Sequence, residues 1–247
     1  MKDIKIKKFK NIHKGKRCFI VGNGPSLRKT NLDLITNEIS FAMNRINLIY
    51  PETTWRPNYF SCTTNNFYNP EWRNGILVSK NLGIPFFIWE KLINKDPFFQ
   101  KDQNTYLLNS SDEETVADYP SEELWSWDPS ERVTKYGTSI IVSFQIAVYM
   151  GFKEIYLLGT DLNFHQNILQ KFFNKFGMRK LGYKFDSNHF SNLYGTPGYS
   201  DELNTKMIRT HELIKKMTTK ANIKVFNATP GGSLEVYERI NYEDIFC

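Results

Sequence analysis

Gly22-Asn23-Gly24-Pro25-Ser26 stands directly after an apolar run that begins at Arg17. Residues this small let a ligand approach the backbone, and a helix starting there turns its first N–H groups toward negative charge. Asn23 offers both a donor and an acceptor, which suits a base edge or a ribose hydroxyl. Ser26 suits either the ligand or a plain helix cap. The spacing is neither the dinucleotide fingerprint, which needs a third glycine, nor a Gly-Lys-Ser/Thr phosphate loop. Lys135-Tyr136-Gly137-Thr138-Ser139 opens a second apolar stretch, which stops at Gly151. Thr138 and Ser139 fit a helix cap, or a phosphate or ribose held beside a basic residue. Gly159-Thr160-Asp161 closes a third apolar run. A carboxylate there can accept from hydroxyls, orient a base or hold a metal, a solvated turn aspartate being the plainer alternative.

Histidine is the side chain best placed to take a proton near neutral pH. Of the four, His13 lies in a basic N-terminal stretch and His211 in an amphipathic pattern. His165 and His189 share the segment 162–200, rich in Phe, Asn and Lys, so they are the candidate bases. The turn-rich segment from Asn227 to Leu234 adds Thr229 and Pro230 as candidates to line a base pocket, with ordinary turn chemistry as the alternative.

These residues need a scaffold that brings them to one place. The continuous apolar run at 17–22 reads as a strand buried on both faces and 154–159 as another buried strand, with short strands at 39–43 and 58–62, a strand at 223–227 after the last helix, and weaker candidates at 84–89 and 105–108. Leu27, Leu32, Leu34 and Ile35 suggest a helix after Ser26, and Thr138 to Met150 a buried helix. Leu203, Met207, Ile214 and Met217 sit at helical spacing within Asp201 to Ala221. Alternation of this kind predicts an α/β, Rossmann-like, mainly parallel sheet with helices on both faces. Loops after the strands then share the edge where ligands bind. Residues 110–131, acidic and containing Pro120 and Pro129, read as an exposed loop or short helices, and 162–200 as a lid inserted over the site.

At about 150 residues per domain, 247 residues allow one or two domains. The expected division is a basic segment 1–16 and a single nucleotide-binding domain 17–247. With 40% hydrophobic and 23% charged residues, wholesale disorder is excluded. Aromatics at 15% suggest a dense core rather than exposed stacking surfaces. Cys18, Cys62 and Cys247 make no disulfide framework and no metal spacing, and no run approaches the roughly 18 apolar residues that span a bilayer. The expectation is a cytoplasmic protein without structural zinc. A net charge of +6 favours an anionic partner. The charge divides between 2–17 and 171–184 without a nucleic-acid motif, so a nucleotide-type ligand or an anionic membrane surface is expected, not nucleic acid.

Phe19 to Leu27, Thr138 and Ser139 through Asp161, and Lys224 to Glu235 together resemble the bacterial family-42 sialyltransferases, which use CMP-sialic acid. They also resemble a related family named after hydroxymethylpterin diphosphokinase, found in surface-glycan loci, and the last segment looks more like that family. The resemblance runs in order from about residue 17 to 240 and implies a variant of the GT-A architecture. It places Asn23 and Asn44 on a cytidine nucleotide, with Thr138 and Ser139 against its phosphate, and adds Gly22, Gly24 and Ser26 to the nucleotide site. Three positions depart from the pattern: Ile140 replaces a glycine, Asn163 a tyrosine, and Leu193 occupies the strict register of the catalytic histidine.

The expected function is a metal-independent, inverting glycosyltransferase without a cofactor, moving an acidic sugar from a CMP donor to a glycan or lipid-linked glycan. His189 or His165 would be the base, Asp161 a further catalytic group, and Lys171, Arg179 and Lys184 would offset negative charge. Lys2 to Arg17 would rest on the inner membrane, and a homo-oligomer is left open. The alternatives are a diphosphokinase using ATP and magnesium held by Asp161, and a nucleotide- or glycan-binding module without catalysis.

Overall fold

Strands buried on both faces belong inside a sheet, and all the apolar runs but 105–108, which forms an edge, pair on both sides. The computed structural model describes residues 4–94, 99, 101–110, 120–162, 168–178, 187–195 and 201–247. Its strands are β1 (Arg17–Val21), β2 (Ser40–Met43), β3 (Tyr59–Cys62), β4 (Phe86–Trp89), β5 (Thr105–Leu108), β6 (Glu154–Leu158), β7 (Lys224–Asn227) and β8 (Glu238–Arg239). They form one eight-stranded sheet in the order β5-β4-β3-β2-β1-β6-β7-β8, and every pairing is parallel. The chain winds outward from β1 to β5, then returns to place β6 on the other side of β1. That reversal makes a crevice beyond the carboxyl ends of β1 and β6, where such sheets take ligands. The expected Rossmann-like α/β class is the observed one.

The high aromatic content is used in cross-strand ladders. Phe19, Tyr156 and Phe226 are register partners on β1, β6 and β7, with successive ring centroids 5.2 Å apart. Phe60 and Phe86 stack at 5.3 Å with planes 3° apart. Such pairs add to the burial of large apolar area.

The helices are α1 (Pro70–Lys80), α2 (Glu90–Ile93), α3 (Ile140–Tyr149), α4 (Ile168–Lys175) and α5 (Asp201–Lys220). Helix α3 packs behind β1 and β2 with nearly every side chain buried, as its apolar run requires. Helix α1 was not among the expected elements. Its signal is local: Asn69 accepts from the N–H groups of Glu71 and Trp72, and Pro70 occupies the first turn.

The structure corrects several expectations. The helix expected after Ser26 is two 3-10 turns, Pro25–Lys29 and Leu32–Ile35, because Asn31 caps a new start by accepting from Asp33 N–H. Within 120–131 the short-helix alternative is the observed one, a 3-10 turn at Glu122–Leu124, and Leu124, Trp125 and Ser126 are buried rather than exposed. Strand β8 carries two exposed polar residues and no apolar signature, as suits a sheet edge. The basic N-terminal stretch packs against the sheet. Ile6 and Phe9 are buried, and Phe9 meets Phe87 and Tyr106 edge-on at 5.2 and 4.8 Å. Asn11, His13 and Gly15 donate N–H bonds to Tyr149, Met150 and Gly151. This fixes the segment across the ends where the strands begin, opposite the crevice, with its lysines exposed. Among the described residues no helix is long and apolar enough to cross a membrane.

Candidate active site

A cavity of about 220 Å³ opens at the crevice. The turn after β1 supplies Gly22, Asn23 and Gly24, and the turn after β2 supplies Asn44. The approach to α3 gives Lys135, Gly137, Thr138 and Ser139, and the turn after β6 gives Asp161 and Leu162. His189, Tyr194 and, from α5, Met207 and His211 close the wall.

The two central turns lock to each other. Gly22 N–H donates to Leu158 O and Gly24 N–H to Gly159 O, both at 2.8 Å. A Cβ on Gly24 would sit 1.8 Å from Asp161 Oδ2 and one on Gly22 2.4 Å from Gly159 O, so only glycine fits. The close approach is thus between two protein turns as well as toward the cavity. Ser26 is not the helix cap, a position held by Gly24. Its N–H and hydroxyl instead donate to the Asp161 carboxylate at 3.1 and 2.8 Å. Burial raises the Asp161 pKa, while the hydrogen bonds from Ser26 pull it back.

Asn23 Nδ2 donates to Met43 O at 3.3 Å. That bond fixes Asn23 Oδ1 as an acceptor, and it is buried without a protein partner. Asn44 Oδ1 is buried without a partner too, on a backbone held at φ 56°. Leu162 adopts φ 48°, a rare left-handed conformation for a bulky residue and one that concentrates at functional sites.

Hydroxyls at the start of α3 are not consumed by capping. Ser139 holds the cap position with no side-chain bond to the helix, and Thr138 Oγ1 accepts from Ile140 N–H at only 3.5 Å. Two buried groups set this loop in place. Gln145 on α3 accepts from Ser126 and Thr134 N–H and donates to Thr134 O. Thr210 on α5 donates to Tyr136 O at 2.9 Å.

The described residues around His189 are tied to the turns at the ends of β1 and β2. Phe190 N–H donates to Asn23 O at 3.1 Å. Arg28 donates to Phe190 O and Asn192 Oδ1, and Arg45 to Leu193 O and Tyr194 O. The imidazole stacks on the Tyr194 ring, centroids 3.7 Å apart and planes 6° from parallel, and is 4% exposed. Leu193, in strict register with the resembled family's base, is 71% exposed and not part of the cavity wall.

The remaining expected site residues lie elsewhere. Ser26 stands behind Asp161, outside the lining. Thr229 Oγ1 accepts from Thr160 N–H at 3.2 Å and Pro230 is exposed, so neither lines the cavity. Lys171 is exposed on α4. His165, Asn163, Arg179 and Lys184 lie outside the described residues. Sequence reasoning missed His211, which is fully buried against the cavity, with Nδ1 3.0 Å from the Tyr237 hydroxyl. Burial pushes its pKa down to about 3, leaving it neutral. It also missed Arg28 and Arg45, whose roles have no local signal. Asp161 is the one carboxylate among the described lining residues. Among the described residues no group of three or more His, Cys, Asp or Glu is placed to hold a metal ion.

No family model and no curated protein matches this chain. Among solved structures it is similar to the Maf glycosyltransferase from Magnetospirillum magneticum AMB-1, at 15% identity and a TM-score of 0.51 over 96% of this chain and 37% of that one. It is also similar to the sialyltransferase CstII from Campylobacter jejuni in complex with cytidine-5'-monophosphate, at 17% identity and a TM-score of 0.49, covering 92% of this chain and 85% of that one. A mammalian sialyltransferase follows at 10% identity and 0.39, over 89% of this chain and 70% of that one. The chain thus spans 37% of the Maf enzyme's length, and the likeness to it is one of fold.

Proposed function

We propose that the chain is a glycosyltransferase whose cavity takes the nucleotide of a CMP-sugar and passes the sugar to a glycan acceptor. The observation that carries this reading is the pair of buried amide oxygens, Asn23 Oδ1 and Asn44 Oδ1, left without protein partners on the cavity wall. A buried acceptor with no donor costs about 1–3 kcal/mol, and ribose hydroxyls or a cytosine amino group supply the missing donors. Thr138, Ser139 and the first turn of α3 would receive the phosphate, with the Lys135 ammonium on the same wall.

In the transfer step the acceptor hydroxyl oxygen bonds to the anomeric carbon from the face opposite the nucleotide. The bond from that carbon to the phosphate oxygen breaks, and CMP leaves with the electron pair. The hydroxyl proton passes to His189, which the stack on Tyr194 and the two arginine clamps hold in orientation. Asp161 stabilises the imidazolium that results, its two oxygens fixed by Ser26. Helix start, hydroxyls and Lys135 offset the leaving charge without a metal.

A thermal-shift panel of CMP, CDP, UDP, GDP and ATP, each with EDTA or magnesium, tests the reading. CMP with EDTA at about a hundred times its Kd is expected to add roughly 2.7 kcal/mol of stability. Stabilisation by ATP that needs magnesium would point instead to diphosphate transfer. CMP binding without turnover of any CMP-sugar would point to a binding module.

A further inference from the structure

Helix α4 shows an apolar stripe to solvent. Ile168, Leu169 and Phe172 are 86%, 47% and 51% exposed, and Phe176 and Met178 just beyond it are 59% and 41% exposed. Spacing by one, three and four places Ile168, Leu169, Phe172 and Phe176 along one face, and the rings of Phe172 and Phe176 lie 4.8 Å apart. Lys171 and Lys175 are exposed beside the stripe, and 168–178 contains no acidic residue. Scattered apolar residues on a surface are ordinary, but a contiguous stripe marks an interaction site. Position adds to this. Ile168 follows the cavity-lining Leu162 by six positions, a reach of at most about 20 Å. The N-terminal lysines lie at the other end of the sheet, where Ile6 and Phe9 are already committed to the core.

We infer that α4 is an interfacial anchor: its apolar stripe enters the acyl region of an anionic bilayer while Lys171 and Lys175 meet the lipid phosphates. Charge selects this occupant, since the stripe is flanked by cations alone and the chain carries +6 overall. The anchor turns the cavity edge toward the membrane. It rests on the transferase reading only for its consequence, an acceptor carried on a lipid.

The test is co-sedimentation of the full chain with phosphatidylcholine vesicles, with and without phosphatidylglycerol, alongside the CMP thermal shift. The chain is expected to bind the anionic vesicles. Phe172→Ser combined with Phe176→Ser should weaken that binding at least tenfold, and Lys171→Glu combined with Lys175→Glu about tenfold. Both variants should keep the CMP shift, which reports an intact fold and cavity. Absence of wild-type binding overturns the anchor, as does equal binding by the serine variant, which would assign the vesicles to the N-terminal lysines. A wild-type dimer that the serine variant turns into monomers overturns it in favour of a second copy on the stripe. Vesicle failure with the CMP shift intact leaves the transferase standing, and loss of the CMP shift with vesicle binding intact does the reverse.

Discussion

The two ends of the sheet differ in what fills them. Where the strands begin, Phe9 fills the space between Tyr59, Phe87 and Tyr106, and the N-terminal backbone is tied to the turn after α3. Where they end, glycines bring two turns to the limit of approach, Asn44 and Leu162 hold left-handed backbones, and two amide oxygens are buried without partners. One end is arranged for burial. The other turns two unpartnered amide oxygens toward a cavity, whereas the unpartnered His13 Nδ1 and the left-handed Asn11 of the first end lie against packed protein. Stability and readiness for a ligand are therefore separated along the strand axis.

If so, damage to the two ends should be read by different instruments. The largest effect is expected from Phe60→Ala in the core ladder, about 3–5 kcal/mol by chemical denaturation, with CMP affinity unchanged under conditions where the variant stays folded. A comparable loss of CMP affinity would show that the ends are coupled. His189→Ala should lower turnover of a CMP-sugar about a hundredfold, equivalent to ~2.7 kcal/mol of transition-state stabilisation. A fall below threefold with the fold intact removes His189 as the base.

His211 yields a pH signature. Its imidazole is held near pKa 3 by burial against an ordinary value of 6.5, so below pH 6.5 the unfolded chain takes up a proton that the folded chain refuses. Its contribution is fully present above that pH and is lost as pH falls toward 3, at roughly 1.4 kcal/mol per pH unit. His211→Gln should remove one proton's worth of that slope, measured by denaturation at several pH values. An unchanged slope would mean that the buried state of His211 is wrongly assigned. The smallest stability effect belongs to Asn44→Gly. Glycine accepts φ 56°, so stability should move by no more than about 0.5 kcal/mol, while the CMP shift falls. An undiminished shift would separate Asn44 from the nucleotide.

Much of this architecture is legible in the chain because parallel strands announce themselves as unbroken apolar runs. β1 through β6 fall on mainly apolar runs and β7 on the mixed Lys224-Val225-Phe226-Asn227, whereas the two polar residues of β8 carry no mark. Helix α1 escaped because its apolar positions are diluted by Glu71, Arg73 and Asn74, though the Asn69-Pro70 start was there to read. In the site, Asn23, Asn44, Thr138, Ser139, Asp161 and His189 were visible as turn chemistry at the ends of strands and helices, and the structure brings them to one cavity. Thr229 and Pro230 looked equally suitable but face elsewhere, since a turn's composition does not say which way it points.

What the sequence alone determined is therefore local: which segments are apolar on both faces, where small residues permit tight turns, and which side chains can move a proton. What tertiary structure decided is pairing at long range. Ser26 meets Asp161 across 135 residues, Arg28 meets Phe190 across 162, and Arg45 meets Leu193 across 148. No local pattern encodes such contacts, because they arise only once the parallel crossovers bring every strand's end to the same edge.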